Sequence, residues 1–210
     1  MNDVDNFLAD LRAVGLCAII RCREPGVALP IARVLIEAGV KVLEVTLTTP
    51  DAVSTIRTLV TEAPLGVWVG AGTAISRSDV DAAQRAGARF LVTPTVSPAI
   101  AAGAEAGIPT LGGAWSPSEV LQAHEAGAAA VKIFPASSGG PAHMKAIRDP
   151  LPHIPLVAVG GVGLNDVAHY REAGAIGFGI GGPLIGDAAR GGSTSQLFTR
   201  AEEFVQRCRS

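Results

Sequence analysis

A short phrase built on Ala-Gly recurs five times along this chain of 210 residues. Glutamate or arginine precedes it and an apolar residue follows, in copies at residues 37–40, 85–88, 105–108, 125–128 and 172–175. Each copy follows a segment with helical periodicity and precedes a short apolar run. Glycine is common just after a helix because it enters the left-handed conformation without a clash at Cβ. The repeat therefore predicts several helix-to-strand junctions.

Eight short apolar runs, each followed by a helical pattern, are typical of strands buried on both faces. They lie at residues 18–21, 42–46, 67–70, 89–93, 110–111, 129–134, 156–159 and 175–180. Regular alternation favours a parallel sheet, and eight units favour its closure. The sequence predicts an α/β fold, a single (β/α)8 TIM barrel with a short N-terminal helix, as one domain over residues 1–210. An open doubly wound sheet is the alternative.

Composition argues against several classes of partner. The formal net charge of −2 gives no electrostatic reason to expect nucleic acid or an anionic membrane. No apolar run could span a bilayer, and the acidic start lacks the features of a signal peptide. We expect a cytoplasmic protein that binds a small molecule, with no membrane partner. Because 48% of the residues are apolar, we also expect buried subunit contacts.

No metal or other cofactor is expected. The cysteines, Cys17, Cys22 and Cys208, fit no zinc pattern, and their odd number argues against a disulfide framework. The histidines fall in helices or connections and make no cluster with carboxylates, which disfavours a catalytic metal site. We interpret each of them as a surface histidine: His124, His143, His153 and His169.

Lys132 lies late in a strand that is otherwise apolar, unlike Lys41 and Lys145, which fit solvated positions. Alternation along a strand places it opposite Val131 and Ile133. If those branched residues pack on the helices, Lys132 points into the barrel. A desolvated lysine has a lowered pKa, and its neutral amine is a nucleophile toward ketones. The alternative is a lysine that reaches the barrel rim or pairs with a structural acid.

Glu44 occupies a second apolar strand, on the same face as Val42 and Thr46. Buried glutamate is rare without a partner. Two such charges on two strands of one barrel can meet inside it. A structural ion pair explains both residues, and so does a Schiff-base lysine beside a general acid and base.

From about Gly15 to about Ile185 the chain resembles the 2-keto-3-deoxy-6-phosphogluconate (KDPG) aldolase family, which includes the 2-keto-3-deoxy-6-phosphogalactonate and 4-hydroxy-2-oxoglutarate (KHG) aldolases. Any one of the matching motifs is weak evidence for this resemblance, but five motifs in the order and at the spacing of the family are specific evidence. They are Val42-Leu-Glu44-Val-Thr46-Leu, Val69-Gly-Ala-Gly-Thr73, Val92-Thr-Pro94, Val131-Lys132-Ile-Phe-Pro135-Ala and Val159-Gly160-Gly161-Val162.

The resemblance implies a class I aldolase, usually trimeric, that cleaves a 2-keto-3-deoxy sugar acid to pyruvate and an aldehyde. Lys132 would form an iminium with the substrate ketone, and Glu44 would carry protons. Arg21 is suited to hold the substrate carboxylate, or else pairs with Glu44. The hydroxyl of Thr73 would bind the same carboxylate. Pro94 and Phe134 would be apolar walls, although packing alone explains both equally well.

Two pairs of glycines follow the seventh and eighth strands, where barrels commonly bind phosphate. Gly160, Gly161, Gly181 and Gly182 are therefore candidate phosphate ligands, and the alternative is tight turns that require glycine. Many members of the family have a serine in the eighth loop. Here Pro183 follows the glycines and brings neither a hydroxyl nor an N–H, so an unphosphorylated substrate is an open alternative.

Two further positions depart from the phosphogluconate type of the family. Thr48 stands where that type has arginine, which is closer to the phosphogalactonate type. Trp115 replaces a residue that is usually small, at the mouth of the fifth strand, and could narrow the aldehyde end of the site or stack on it.

Two other functions fit parts of the sequence. A barrel that binds a phosphorylated metabolite without aldol chemistry would use Lys132 and Glu44 as an ion pair. A dinucleotide oxidoreductase would use residues 69–73 as a phosphate loop. That interpretation lacks the third glycine and the acid about 20 residues further on.

Overall fold

The computed structural model describes residues 3–209, and its eight strands form one closed parallel barrel in chain order. The strands are β1 (Leu16–Ile20), β2 (Val42–Thr46), β3 (Trp68–Gly72), β4 (Leu91–Val92), β5 (Thr110–Ala114), β6 (Ala130–Ile133), β7 (Leu156–Val159) and β8 (Ala175–Ile180). The barrel prediction is confirmed, and the open doubly wound sheet is wrong.

Helices alternate with the strands around the barrel. They are α1 (Asp3–Val14), α2 (Ala28–Glu37), α3 (Ala52–Glu62), α4 (Arg77–Arg85), α5 (Pro98–Glu105), α6 (Pro117–Glu125), α7 (Ala136–Arg148), α8 (Val167–Glu172), α9 (Gly182–Ile185) and α10 (Thr194–Cys208), with a 3-10 turn at Ala188–Arg190. No helix within residues 3–209 is both long and apolar enough to cross a membrane.

The glycine of each repeated Ala-Gly phrase has the left-handed backbone that the sequence predicts. Gly39, Gly87, Gly107, Gly127 and Gly174 have φ between 70° and 97°. Each follows the alanine at a helix end, and the next strand begins after at most three further residues. An alanine at these points would be strained, because its Cβ disfavours positive φ.

Strand β5 is longer than predicted, extending through Gly112 and Gly113 to Ala114. Two adjacent glycines obscure a strand in the sequence, because glycine weakens strand propensity and often marks close backbone approach. Such an approach occurs here: a Cβ on Gly113 would overlap the backbone of Pro94. Strand β4 is shorter than predicted, with only two residues.

Apolar side chains form two layers, one between strands and helices and one inside the barrel. The inner layer is closed at the N-terminal end of the strands by α1, whose Phe7 packs against Trp68 and Phe90 with ring centroids 5.2 and 4.9 Å away. Trp68 Nε1 donates a hydrogen bond to Asp10 of the same helix at 2.8 Å. A functional site is therefore expected at the C-terminal end of the strands, which α1 does not cover.

Candidate active site

A cavity of about 460 Å³ opens at the C-terminal end of the strands. All ten residues that the sequence indicates as site residues line it: Arg21, Glu44, Thr73, Pro94, Lys132, Phe134, Gly160, Gly161, Gly181 and Gly182. The other lining residues, which the sequence analysis did not propose as ligands, are Ile19, Val159, Val162, Gly179 and Pro183. All five are apolar or lack a side chain, so no chemical signal distinguishes them from core residues in the sequence.

Lys132 points into the barrel, as strand alternation predicts. Its face partner Ala130 belongs to the inner layer, whereas Val131 and Ile133 belong to the outer layer. The side chain is only 6% exposed. Burial lowers the pKa of the Lys132 ammonium, and the nearby Glu44 carboxyl opposes that effect. A larger fraction of this lysine is therefore the neutral amine than for a lysine in water.

Glu44 enters the same cavity from β2 and is 2% exposed. Burial raises the pKa of the Glu44 carboxyl, while the positive charges of Lys132 and Arg21 act to lower it. Burial thus favours the neutral form of both groups. A raised pKa lets the carboxyl keep its proton at higher pH than an exposed glutamate, which suits a group that must give and take protons in general acid and base catalysis.

Gly72 makes the space in which the Glu44 carboxyl lies. A Cβ on Gly72 would overlap Oε1 of Glu44 and come within 2.7 Å of its Cδ. In the sequence, this glycine is only one member of the motif Val69-Gly-Ala-Gly-Thr73, and nothing there relates it to Glu44. Its relation to Glu44 depends on the pairing of β2 with β3, which places Thr46 beside Gly72.

Replacing Gly72 with alanine is expected to displace the Glu44 carboxyl without unfolding the barrel. A misplacement of about 1 Å can cost about 100-fold in rate, so we expect kcat of the reaction at this site to fall by about 10- to 100-fold. The control is the same substitution in a Glu44→Gln background, where alanine should cost little more because the carboxyl is already absent. An equal loss in both backgrounds would show that Gly72 acts by another route.

Lys132 and Glu44 do not form an ion pair. Among residues 3–209, no ion pair within 4.0 Å joins them, and Oε2 of Glu44 is buried without a hydrogen-bond partner. The structural ion pair considered as an alternative is therefore absent from the structure. Buried polar groups without partners are rare in native proteins and need an explanation. The orphaned Glu44 oxygen lies in the cavity that Lys132 also lines, which indicates that a bound molecule completes its interactions.

Arg21 follows β1 and is held by two threonines. Its Nη1 donates to Oγ1 of Thr48 and its Nη2 to Oγ1 of Thr73, each at 3.0 Å. Oγ1 of Thr46 lies 3.2 Å from that of Thr48 and 3.1 Å from that of Thr49, which ties the contact to β2. The alternative in which Arg21 pairs directly with Glu44 is wrong, since no ion pair joins them within the described chain.

Thr73 has a strained backbone conformation, with φ of 61°. For a β-branched residue this conformation is a genuine outlier, and such strain is typical of functional sites. Because Arg21 donates to Thr73 Oγ1, the hydroxyl proton of Thr73 is free to point away from the guanidinium. Arg21 and Thr73 together therefore present donors suited to a carboxylate.

The glycine loops are placed at the cavity wall, but geometry alone requires only two of the four glycines. Gly160 and Gly161 have φ of 93° and 73°, as tight turns demand, whereas Gly181 has φ of −103°. Gly182 begins the short helix α9. Within residues 3–209, Arg21 and Lys132 are the only cationic side chains that line the cavity.

Trp115 does not line the cavity, so neither predicted role at the aldehyde end applies to it. Its indole stacks on the His143 ring at a centroid distance of 4.2 Å, and His143 Nε2 donates to the Trp115 carbonyl oxygen at 2.9 Å. The pair fastens the end of β5 to α7. The surface prediction is wrong for His143 and also for His124, both of which are half-buried.

At the open end of this barrel lie a buried lysine with a lowered pKa and a carboxyl without an ion-pair partner within residues 3–209. This is the arrangement of a Schiff-base lyase. No cluster of metal-binding side chains occurs in the described part of the chain. The model of the family "KDPG and KHG aldolase" matches residues 7–194. The chain belongs to this family of class I aldolases.

Relatives of known name agree with this assignment. The chain is 35% identical over 193 residues to the 2-dehydro-3-deoxy-6-phosphogalactonate aldolase of Escherichia coli, covering 91% of this chain and 93% of that one. It is 40% identical over 144 residues to the 2-dehydro-3-deoxy-phosphogluconate aldolase of Pseudomonas aeruginosa, covering 68% and 65%. A solved KDPG aldolase from Legionella pneumophila, with pyruvate captured as a covalent carbinolamine, has TM-score 0.81 and 29% identity, covering 93% and 96%.

Proposed function

We propose that this aldolase cleaves a 2-keto-3-deoxy-6-phospho sugar acid to pyruvate and glyceraldehyde 3-phosphate. The observation that carries the proposal is the unpaired arrangement of Lys132 and Glu44 across one cavity. The keto acid supplies what that arrangement lacks: a carbonyl carbon for the amine and hydroxyl groups for the carboxyl.

The reaction begins when the neutral Lys132 amine attacks the C2 carbonyl of the substrate. Glu44 gives a proton to the carbinolamine oxygen, water leaves, and an iminium forms. Glu44 then removes the proton of the C4 hydroxyl. The C3–C4 bond breaks, its electron pair reduces the iminium to an enamine, and the aldehyde departs. Glu44 returns the proton to C3, and water releases pyruvate from Lys132.

Arg21 and Thr73 hold the substrate carboxylate in this proposal, with Thr48 as the support of Arg21. The two hydroxyl contacts of Arg21, each at 3.0 Å, fix its guanidinium beside the cavity. Phe134 and Pro94 form apolar walls near the imine, and the Lys132 Nζ lies 4.8 Å from the Phe134 ring centroid. Such walls exclude water and keep the amine desolvated.

Gly160, Gly161, Gly181 and Gly182 form the wall along which the rest of the substrate extends. Glycines leave backbone N–H groups accessible to a ligand.

We further propose that residues 1–210 act as one domain in a cytoplasmic homotrimer. The apolar content of 48% and the exposed side chains of Leu65 and Ile75 support a subunit contact.

The test is reductive trapping. The protein is incubated with pyruvate, borohydride is added, and the intact mass is measured, with Lys132→Ala as the control. A reduced pyruvate adduct on the parent alone is expected. Folded parent protein that forms no adduct at high pyruvate would contradict the mechanism and favour a metabolite-binding barrel.

The rate of adduct formation is expected to rise with pH and to level off at a lower pH than an exposed lysine would allow. The sign follows from burial, which lowers the pKa of Lys132, so the amine appears earlier as pH rises. Initial rates of trapping measured across a pH series test this. A midpoint at the ordinary lysine pKa would show that Lys132 is not desolvated in solution.

A further inference from the structure

Three threonine hydroxyls meet where β2 ends, at Thr46, Thr48 and Thr49. The N–H of Thr49 donates to the Thr46 carbonyl oxygen at 2.8 Å, which closes a turn over residues 46–49. The turn brings the hydroxyls together, with Oγ1 of Thr46 lying 3.2 Å from that of Thr48 and 3.1 Å from that of Thr49. The three side chains therefore form one hydroxyl chain with Thr46 in the middle.

The two ends of this hydroxyl chain reach neighbouring residues of the connection between β1 and α2. At one end, Oγ1 of Thr48 accepts a hydrogen bond from Nη1 of Arg21 at 3.0 Å. At the other end, Oγ1 of Thr49 accepts a hydrogen bond from the backbone N–H of Cys22 at 3.2 Å. The chain thus holds the guanidinium of Arg21 and also the backbone at the next residue.

The burial of the hydroxyls indicates which way their protons point. Thr46 has one hydroxyl proton and two hydroxyl neighbours, so it donates to one neighbour and accepts from the other. Thr46 and Thr49 are buried, whereas Thr48 is exposed. Because an unused buried donor is costly, the two buried threonines use their protons within the chain. Thr49 then donates to Thr46, Thr46 donates to Thr48, and Thr48 leaves its acceptor lone pairs to Thr46 and Arg21.

The groups that hold Arg21 are neutral. Its hydrogen bonds go to the hydroxyls of Thr48 and Thr73, and no carboxylate of residues 3–209 forms an ion pair with it. Hydroxyls fix the direction of a guanidinium without cancelling its charge, which stays available to an anion. An exposed arginine otherwise loses side-chain freedom when a ligand binds, so holding it beforehand favours binding.

We propose that Thr46 and Thr49 are positioning residues for Arg21, and that through it they set the affinity of the site for a 2-keto carboxylate. This inference rests on the proposed function, in which Arg21 binds the substrate carboxylate. Neither threonine is among the described residues that line the cavity, so both act through Arg21. Thr49 is the anchor, because loss of its hydroxyl leaves the Cys22 N–H without its acceptor and removes the donor to Thr46.

The experiment measures borohydride trapping of pyruvate by Thr49→Val over a range of pyruvate concentrations. We expect the half-saturating pyruvate concentration to rise by about fivefold to tenfold and the maximal trapping rate to change by less than about twofold, since Lys132 and Glu44 are untouched. Thr49→Ser restores the hydroxyl and should restore the parent value. Thr110→Val is the matched control, because Thr110 is a buried threonine whose hydroxyl donates to the Ile108 carbonyl oxygen at 3.1 Å, away from the cavity.

Three comparisons separate positioning from a general loss of structure. In an Arg21→Met background, Thr49→Val should have little further effect, because the side chain that it positions is gone. Pyruvamide has no carboxylate, so Thr49→Val should trap it as the parent does. Thr46→Val breaks the hydroxyl chain but leaves Thr49 to accept from Cys22, so it should raise the half-saturating pyruvate concentration by about threefold. It provides the same test if Thr49→Val does not fold.

An unchanged half-saturating pyruvate concentration in folded Thr49→Val, or in Thr46→Val in its place, would overturn the inference. An increase of the same size in the Arg21→Met background, or with pyruvamide, would overturn it as well. In each of these cases the parent still forms the pyruvate adduct, so only the positioning role has failed. A parent that forms no adduct shows that the proposed function has failed, and the positioning role with it.

Discussion

Replacing Lys132 with methionine is expected to abolish aldol cleavage while leaving the barrel at least as stable as the parent. Without the amine no iminium forms, and the C3–C4 bond has no electron acceptor. We therefore expect kcat to fall by at least about 10⁴-fold, toward the background rate. Methionine fills the same apolar strand and removes a buried amine that has no ion-pair partner within residues 3–209.

The thermal stability of the Lys132→Met protein distinguishes a chemical role of this lysine from a structural one. Replacing a buried charge by an apolar side chain of similar volume is often neutral or stabilising. Lys145→Met, on the exposed face of α7, is the control and should keep full activity. Steady-state rates and thermal unfolding measure the two effects. A Lys132→Met protein that retains cleavage, or one that unfolds because a buried pair was broken, contradicts the assignment.

Replacing Glu44 with glutamine is expected to lower kcat by about 10²- to 10⁴-fold, the usual contribution of a positioned acid and base. Glutamine keeps the shape of the side chain above Gly72 but cannot carry a proton through the successive steps. The change also acts on Lys132. The Glu44 carboxyl raises the pKa of Lys132, so its removal should shift the pH profile of pyruvate trapping to lower pH.

Glu44→Gln is expected to raise the fraction of neutral amine at Lys132 but to lower the rate of the reaction. This combination distinguishes loss of the proton carrier from a general loss of activity. Lys132 gains amine at a given pH, yet dehydration of the carbinolamine slows. Glu203→Gln, on the exposed side of α10, is the control for a lost negative charge and should change neither. If Glu44→Gln shifts the trapping profile but keeps the parent kcat, the proton carrier is another group.

The chemical groups of this site are predictable from sequence because each is anomalous where it stands. Lys132 and Glu44 are single charges within apolar strands, and burial of a charge needs a reason. The five Ala-Gly junctions also predict where helices end and the chain turns toward a strand. The positive φ values of their glycines confirm these turns. These inferences need only local pattern and the geometry of parallel strands.

Features that arise from pairing between distant segments are not predictable in this way. The overlap between Gly72 and the Glu44 carboxyl appears only once β2 lies beside β3. The stack of Trp115 on His143 joins β5 to α7, and nothing local distinguishes His143 from a surface histidine.

The helix α1 has a kinetic consequence, since Phe7 and its aromatic neighbours close the N-terminal end of the barrel. A reaction chamber sealed at one end has a single route for traffic in both directions. In the proposed mechanism, the aldehyde leaves by this route first, and pyruvate, which is bonded to Lys132, leaves last. In the reverse direction, the proposed chemistry requires the keto acid to bond to Lys132 before the aldehyde can react, and both reactants then use the same entrance.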